Sequence, residues 1–96
     1  MELEELRARI RAVDEEMAAL FVRRMELSAQ IAAYKRAHGL PVEDRAQEAR
    51  VLAGRGALIE DDALRPYYLE LLRCEMELSK RWQRRYYDDG ETAVKE

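Results

Sequence analysis

The sequence predicts an all-α fold, in the order long helix, short helix, long helix. Three observations support this prediction. Glycine and proline are scarce, at four and two of 96 residues, which disfavours a turn-rich β domain. Charged residues make up 39% of the chain and hydrophobic residues 48%, a mixture typical of amphipathic helices. Apolar residues recur at intervals of three and four in the first and last parts of the chain, which is the spacing of a helix face.

Composition also limits the class of protein. Ninety-six residues with a formal net charge of −3 indicate one domain with a marginal core, and argue against a nucleic-acid binder. A single cysteine, Cys74, and a single histidine, His38, exclude an internal disulfide, a cysteine-based zinc site and a two-histidine metal motif. There is no apolar run of about 18 to 20 residues, and because the first residues are acidic we do not expect a signal peptide. We therefore expect a cytoplasmic protein that neither enters a membrane nor uses a metal or cofactor.

The first helix is predicted from a long apolar seam. It is expected to run for about 35 residues and to end at Gly39, a left-handed cap, before Pro41. At 1.5 Å per residue it would be about 50 Å long, too long to bury its seam inside so small a monomer, so we expect a homodimer. The seam consists of Leu3, Leu6, Ile10, Val13, Met17, Leu20, Leu27, Ile31 and Tyr34.

The second helix is predicted between capping and breaking signals. Asp44 stands at an N-cap position with Gln47 three residues later, which resembles a capping box. The helix is expected over residues 45–53, because Gly54 and Gly56 should loosen its end.

The third helix is predicted to begin in the acidic run 60–62, with Pro66 in its first turn, and to reach about Tyr87. Its apolar positions include Leu64, Tyr68, Leu71, Leu72, Met76, Leu78 and Trp82. Residues 1–87 thus form one expected domain, and residues 88–96 are expected to be a disordered polar tail.

Cations interrupt the apolar face of the first helix. Arg24 occupies a seam position, and Lys35 lies eleven residues later on the same face, about 16 Å away. Two long cationic side chains at that distance can converge on one small anion, although a snorkelling arginine and a solvated lysine near the helix end are alternatives. Arg7 lies about 25 Å from Arg24 along the axis, so it could serve the same pocket only from a second, antiparallel copy; otherwise it is a surface residue.

Polar residues also replace apolar ones on the third helix. Leu72, Met76, Ser79 and Gln83 follow a 4-3-4 spacing that turns polar. This indicates either a helix that enters a polar cavity or a stripe that reaches the surface near the helix end.

Two acids can share a face at the start of the second helix. Asp44 and Glu48 are four residues apart, although capping explains the first and a favourable acid in the first turn explains the second. Together these polar residues outline a pocket with cations for carboxylates, acids for hydroxyl groups and a neutral amide. The sequence shows no catalytic Ser/His/Asp set, Cys/His pair or glycine-rich phosphate loop. Such a pocket would bind a small polyanion and act by electrostatics and shape.

From about residue 3 to residue 85, the sequence resembles the all-α chorismate mutase family. The segments that carry the resemblance are Leu6-Arg7-Ala8-Arg9-Ile10 followed by Asp14, Arg23-Arg24-Met25-Glu26-Leu27, Ala33-Tyr34-Lys35, Pro41-Val42-Glu43-Asp44 with Glu48 four residues on, and Ser79 with Gln83. The resemblance implies three helices per chain and an intertwined homodimeric bundle. It also implies two active sites that take residues from both chains.

The resemblance also implies a role for each site residue. Arg24 and Lys35 resemble the cations supplied by the protomer that forms most of each site. Arg7 resembles the cation that the other protomer donates. Asp44 and Glu48 resemble the acids that hold the hydroxyl region of the substrate. Ser79 and Gln83 resemble the pair near a carboxylate and the ether oxygen. One position departs from the pattern, since Gln47 stands where many members carry an arginine.

The implied reaction is the rearrangement of chorismate to prephenate, which leads toward phenylalanine and tyrosine. It is an intramolecular pericyclic step that needs no cofactor or metal. Arg24, Lys35 and Gln83 are the expected catalytic residues. Three alternatives stay open: an isochorismate pyruvate lyase of the same fold, a non-catalytic helical dimerisation module, and a subunit that needs a second protein for full activity.

Overall fold

A computed structural model describes residues 1–88 of the chain. They form three α-helices: α1 over Leu3–Ala37, α2 over Arg45–Gly56 and α3 over Arg65–Asp88. No strand occurs in this part of the chain, so the predicted all-α fold and the order of its helices are confirmed. The predicted disordered tail begins at Asp88, which is the last residue of α3, and the remainder of that tail lies outside the described residues.

The first helix is uninterrupted for 35 residues, as its seam predicts. It ends where Gly39 takes a left-handed φ of 66°, a conformation that glycine adopts without the strain of a Cβ atom. The backbone N–H of Leu40 then donates to the carbonyl of Lys35 at 2.8 Å. This hydrogen bond satisfies a carbonyl of the last turn and directs the chain back toward α2.

The second helix begins as predicted and ends later. The Asp44 side chain accepts a hydrogen bond from the backbone N–H of Gln47 at 3.0 Å, but Gln47 Oε1 accepts from Arg50 Nε at 3.1 Å and does not complete a capping box. The helix continues to Gly56 because a helical glycine costs only about 1 kcal/mol. At this residue α3 comes close: a Cβ atom on Gly56 would lie 3.0 Å from Leu69 Cδ2.

The connection between α2 and α3 is a structured turn. Asp61 accepts from the backbone N–H groups of Ala63 at 2.8 Å and Leu64 at 3.3 Å. Arg65 Nε donates to the carbonyl of Ile59 at 2.9 Å. The acidic run therefore organises the turn, and α3 starts after it, with no acid in its first turn. The prediction that these acids begin the helix was wrong, because the Asp61 side chain caps a local turn.

The third helix packs against both other helices. Trp82 Nε1 donates to the backbone carbonyl of Met25 at 3.0 Å and so joins α3 to α1. Among the described residues, the buried apolar side chains are only Ala32, Leu72 and Met76. Within these residues a single chain therefore has very little hydrophobic core of its own. Hydrophobic burial is the main driving force of folding.

The first half of α1 carries an exposed apolar stripe. Its six residues are 45–62% exposed. We refer to this set as the N-terminal stripe: Leu3, Leu6, Ile10, Val13, Met17 and Leu20. A continuous apolar surface of this kind marks an interaction site.

In residues 1–88, no helix is both long enough and apolar enough to cross a membrane.

Candidate functional site

A cavity of about 430 Å³ lies where the second half of α1, α2 and the second half of α3 meet. Its size is that of a site for a small molecule. Six of the seven residues predicted for the site line this cavity: Arg24, Lys35, Asp44, Glu48, Ser79 and Gln83.

Two helix faces with the same spacing form opposite walls. On α1, the cavity residues Arg24, Ser28, Ile31 and Lys35 follow a 4-3-4 pattern. On α3, the residues of the predicted polar stripe at positions 72, 76, 79 and 83 follow the same pattern, and all four are buried. Because residues three and four apart share one side of a helix, each pattern lies on one helix face. On α3, Met76, Ser79 and Gln83 of this face line the cavity.

A pair of buried hydroxyl groups joins the two walls. Ser28 Oγ lies 2.5 Å from Ser79 Oγ, and both serines are buried. The sequence analysis missed Ser28, although its position four residues after Arg24 and seven before Lys35 places it on the same face. Since buried hydroxyl groups are stable only when hydrogen-bonded, this pair holds the two helices in one register.

Lys35 and Gln83 come together at one end of the cavity. Lys35 Nζ donates to the carbonyl of Val42 at 2.7 Å and to Gln83 Oε1 at 3.4 Å. Gln83 Nε2 donates to Ser79 Oγ at 3.4 Å. The two contacts of the Gln83 amide are long, whereas the contact of Lys35 with Val42 is short. The lysine is thus fixed, and the amide is held only weakly.

Arg24 lies on the α1 wall with a distant partner. Its Nε is 3.8 Å from Glu75 Oε1 on α3, and its side chain is 35% exposed. At this distance the ion pair is weak, so most hydrogen-bonding capacity of the guanidinium group is available in the cavity.

The acidic side of the cavity is built on α2 and on a lysine that the sequence analysis missed. Asp44 both caps α2 and lines the cavity. Glu48 Oε1 lies 3.0 Å from Lys80 Nζ, while Glu48 Oε2 is buried without a hydrogen-bond partner among the described residues. Nothing in the apolar pattern marks Lys80, because lysines are common on helices and its partners come from other elements.

Lys80 is the centre of a charged network around the cavity. Its Nζ also lies 3.4 Å from Glu77 and 3.6 Å from Glu43. The hydrogen bond to Glu48 is the main cause that raises the pKa of Lys80 above its ordinary value. The nearby charge of Lys80 is likewise the main cause that lowers the pKa of Glu43. Lys80 is therefore fully charged near neutral pH.

Positive charge dominates the cavity, although the whole chain is acidic. Four cations, including Arg55 and Lys80, and two acids line it, which gives a formal charge of +2 in a chain of −3. Gln47, the residue that departs from the family pattern, also lines the cavity. Among residues 1–88 there is no group of three or more potential metal ligands.

Arg7 is the predicted site residue that the single chain does not bring to the cavity. It is 61% exposed and pairs with Glu4 at 2.9 Å on its own helix. Its position, seventeen residues before Arg24 on an unbroken helix, places it about 25 Å away along the axis. Within one chain it cannot reach the cavity.

The fold and the cavity define an all-α protein with a cavity of net positive formal charge. The family model of chorismate mutase type II matches residues 6–84. The chain therefore belongs to the chorismate mutase type II family, an all-helical family of isomerases. Neither the curated proteins nor the solved structures contain a significant match to it.

Proposed function

We propose that this protein is a cytoplasmic chorismate mutase that rearranges chorismate to prephenate in the biosynthesis of phenylalanine and tyrosine. The observation that carries the proposal is the convergence of Arg24, Lys35 and Gln83 on one cavity of net positive charge, in a chain of this family. Chorismate carries two carboxylates, and its charge complements the formal charge of the cavity. Guanidinium groups bind carboxylates bidentately, which suits Arg24 to this role.

The reaction requires a fixed substrate conformation and stabilisation of a developing charge. The substrate's enolpyruvyl side chain must lie over the ring, and holding it there removes much of the entropic barrier. As the ether bond breaks, negative charge develops on its oxygen, and hydrogen-bond donors aimed at that oxygen lower the barrier. We assign these donors to Lys35 Nζ and Gln83 Nε2.

The geometry without substrate supports this assignment with one adjustment. Lys35 Nζ faces Gln83 Oε1 at 3.4 Å, so a substrate oxygen between the two would require the Gln83 amide to turn and present Nε2. Both contacts of the amide are at 3.4 Å, close to the limit of a hydrogen bond, so the rotation gives up little energy. Lys35 keeps its short bond to the Val42 carbonyl.

The proposal includes a homodimer with shared sites. A single chain has three buried apolar residues among those described and leaves the N-terminal stripe exposed. Burial of this stripe on a second copy would supply the missing core. An antiparallel copy would also bring its Arg7 to the cavity, as a further cation for a substrate carboxylate.

A non-catalytic dimerisation module is the main alternative of another class. It accounts for the N-terminal stripe but gives no reason for three buried polar side chains, Ser28, Ser79 and Gln83, around a cationic cavity. Buried polar groups usually destabilise a core unless they serve a site or a network. These residues therefore favour the enzyme.

The test is turnover of chorismate by the purified protein. Loss of the ultraviolet absorbance of chorismate, with prephenate identified as the product, is the expected result. Isochorismate is offered in parallel, and release of salicylate and pyruvate would assign the protein to the lyase reaction instead. Inertness toward both compounds, with the helical circular dichroism spectrum intact, would refute both enzymatic functions.

A further inference from the structure

Lys80 is unusually enclosed for a lysine on the last helix. Its side chain is only 16% exposed and lies within ion-pair distance of three carboxylates. Lysines are rarely buried unless they are paired. Its shortest contact, at 3.0 Å, is with Glu48, which lies on another helix and lines the cavity beside it.

The contact with Lys80 gives the two oxygens of the Glu48 carboxylate different surroundings. Oε1 accepts from Lys80 at 3.0 Å, whereas Oε2 is buried and has no hydrogen-bond partner among the described residues. A buried carboxylate oxygen without a donor is costly. Since Glu48 lines the cavity, a ligand that donates a hydrogen bond to Oε2 would satisfy it.

We propose that Lys80 is a positioning residue that fixes Glu48 with Oε2 directed at a hydroxyl group of the substrate. This inference rests on the proposed function, in which the substrate carries one hydroxyl group on its ring. Lys80 holds one oxygen by a charge-assisted hydrogen bond and so leaves the other as the acceptor. Without Lys80, the carboxylate can rotate or turn to the cations of α1, Arg24 and Lys35, that line the same cavity.

The competing explanation is that Lys80 only fastens the segment before α2 to α3. It approaches Glu43 in that segment at 3.6 Å, and Arg84 reaches the same glutamate at 3.5 Å. Arg84 thus shares the structural contact, but it makes no ion pair with Glu48 within residues 1–88. This difference supplies a matched control.

The experiment compares chorismate turnover by three variants with the wild type. Lys80→Met keeps the length of the side chain and removes its charge, and kcat/KM should fall about 10- to 100-fold. Lys80→Arg should recover most of this loss, because it restores a donor to Glu48. Arg84→Met, the control, should stay within about twofold of the wild type. An equal loss in Arg84→Met and Lys80→Met would overturn the proposal in favour of the structural explanation.

A double variant separates action through Glu48 from a general effect. If Lys80 acts through Glu48, Lys80→Met adds no further loss in a Glu48→Gln background, and the double variant matches Glu48→Gln within about twofold. A further loss of tenfold or more would refute the inference. Lys80→Met alone leaves the buried charge of Glu48 without its partner and can fail to fold for that reason. The double variant also removes that charge, so the comparison with Glu48→Gln can still be made. Wild-type protein inert toward chorismate would overturn the proposed function, and this inference with it. An active wild type with unaffected Lys80→Met would overturn the inference alone.

Discussion

Arg24→Ala is the substitution that most sharply separates a role in binding from a role in folding. The Arg24 side chain is 35% exposed, and its nearest carboxylate is 3.8 Å away. A partly exposed ion pair of this length contributes at most about 1 kcal/mol to the free energy of unfolding. We therefore expect the melting temperature to fall by no more than about 8 °C.

The expected effect on catalysis is much larger. Removal of a guanidinium group that pairs with a carboxylate in an enclosed site costs about 2–5 kcal/mol, which corresponds to a loss of about 30- to 4000-fold in kcat/KM. Arg24→Lys keeps the charge but not the bidentate geometry, so its kcat/KM should lie between those of Arg24→Ala and the wild type.

The assay is the loss of chorismate absorbance, with thermal unfolding followed by circular dichroism on the same samples. The matched control is Arg23→Ala, since Arg23 is the neighbouring arginine on α1, is exposed and does not line the cavity. It should retain turnover within about twofold of the wild type. If Arg24→Ala kept wild-type turnover, or if Arg23→Ala lost as much, Arg24 would have no specific role in the site.

Three further predictions concern the amide, the glycines and the charged network. The activity of the wild type should vary little between about pH 6 and 8, because the Gln83 amide donates without titrating. Gln83→Glu should be active only where its carboxyl group is protonated, so its turnover should rise toward acidic pH. A flat pH profile for this variant would exclude a hydrogen-bond donor at position 83. In urea unfolding, Gly39→Ala should destabilise the protein by about 1 kcal/mol because of its φ of 66°. Gly54→Ala should stabilise it by about 0.5–1 kcal/mol, because apart from the backbone of its own helix nothing lies within 4 Å of the new Cβ atom. The same sign for both changes would refute the backbone argument. Glu43 has a pKa below its ordinary value of 4.5 and Lys80 a pKa above its ordinary value of 10.5. The stability that Glu43 contributes is thus present above pH 4.5 and is lost as the pH falls through its lower pKa in the folded state. The stability that Lys80 contributes is present below pH 10.5 and is lost as the pH rises through its higher pKa in the folded state. The melting temperature of Glu43→Gln should accordingly lie below that of the wild type near neutral pH, and the difference should disappear in acid. A difference that persists in acid would contradict the assignment to Glu43.

The sequence predicted the helices well where one periodic pattern decided them. The seam of α1 continues through 35 residues, and no breaking residue competes with it. The predicted end of α2 and the predicted start of α3 were less accurate because they depend on local contacts. Gly56 stays helical where α3 packs against it, and Asp61 caps a turn in place of a helix. A glycine or an acid in a sequence permits either outcome.

The site was predictable to the extent that its residues lie on helix faces. Ser28 could have been found, because it completes the spacing of Arg24 and Lys35 on α1. Lys80 could not, since its burial follows from glutamates on α2 and in the preceding segment. The place of Arg7 depends on a second chain, and its role in the site stays a prediction.

The most direct test of the central claim, a dimeric mutase with shared sites, is the mixing of two inactive variants. Arg7→Ala and Arg24→Ala should each be nearly inactive as homodimers. After random subunit exchange, half of the dimers carry both chains, and each of these has one site with Arg7 and Arg24 intact, so about a quarter of wild-type activity should return. No recovery of chorismate turnover after demonstrated exchange would contradict the account.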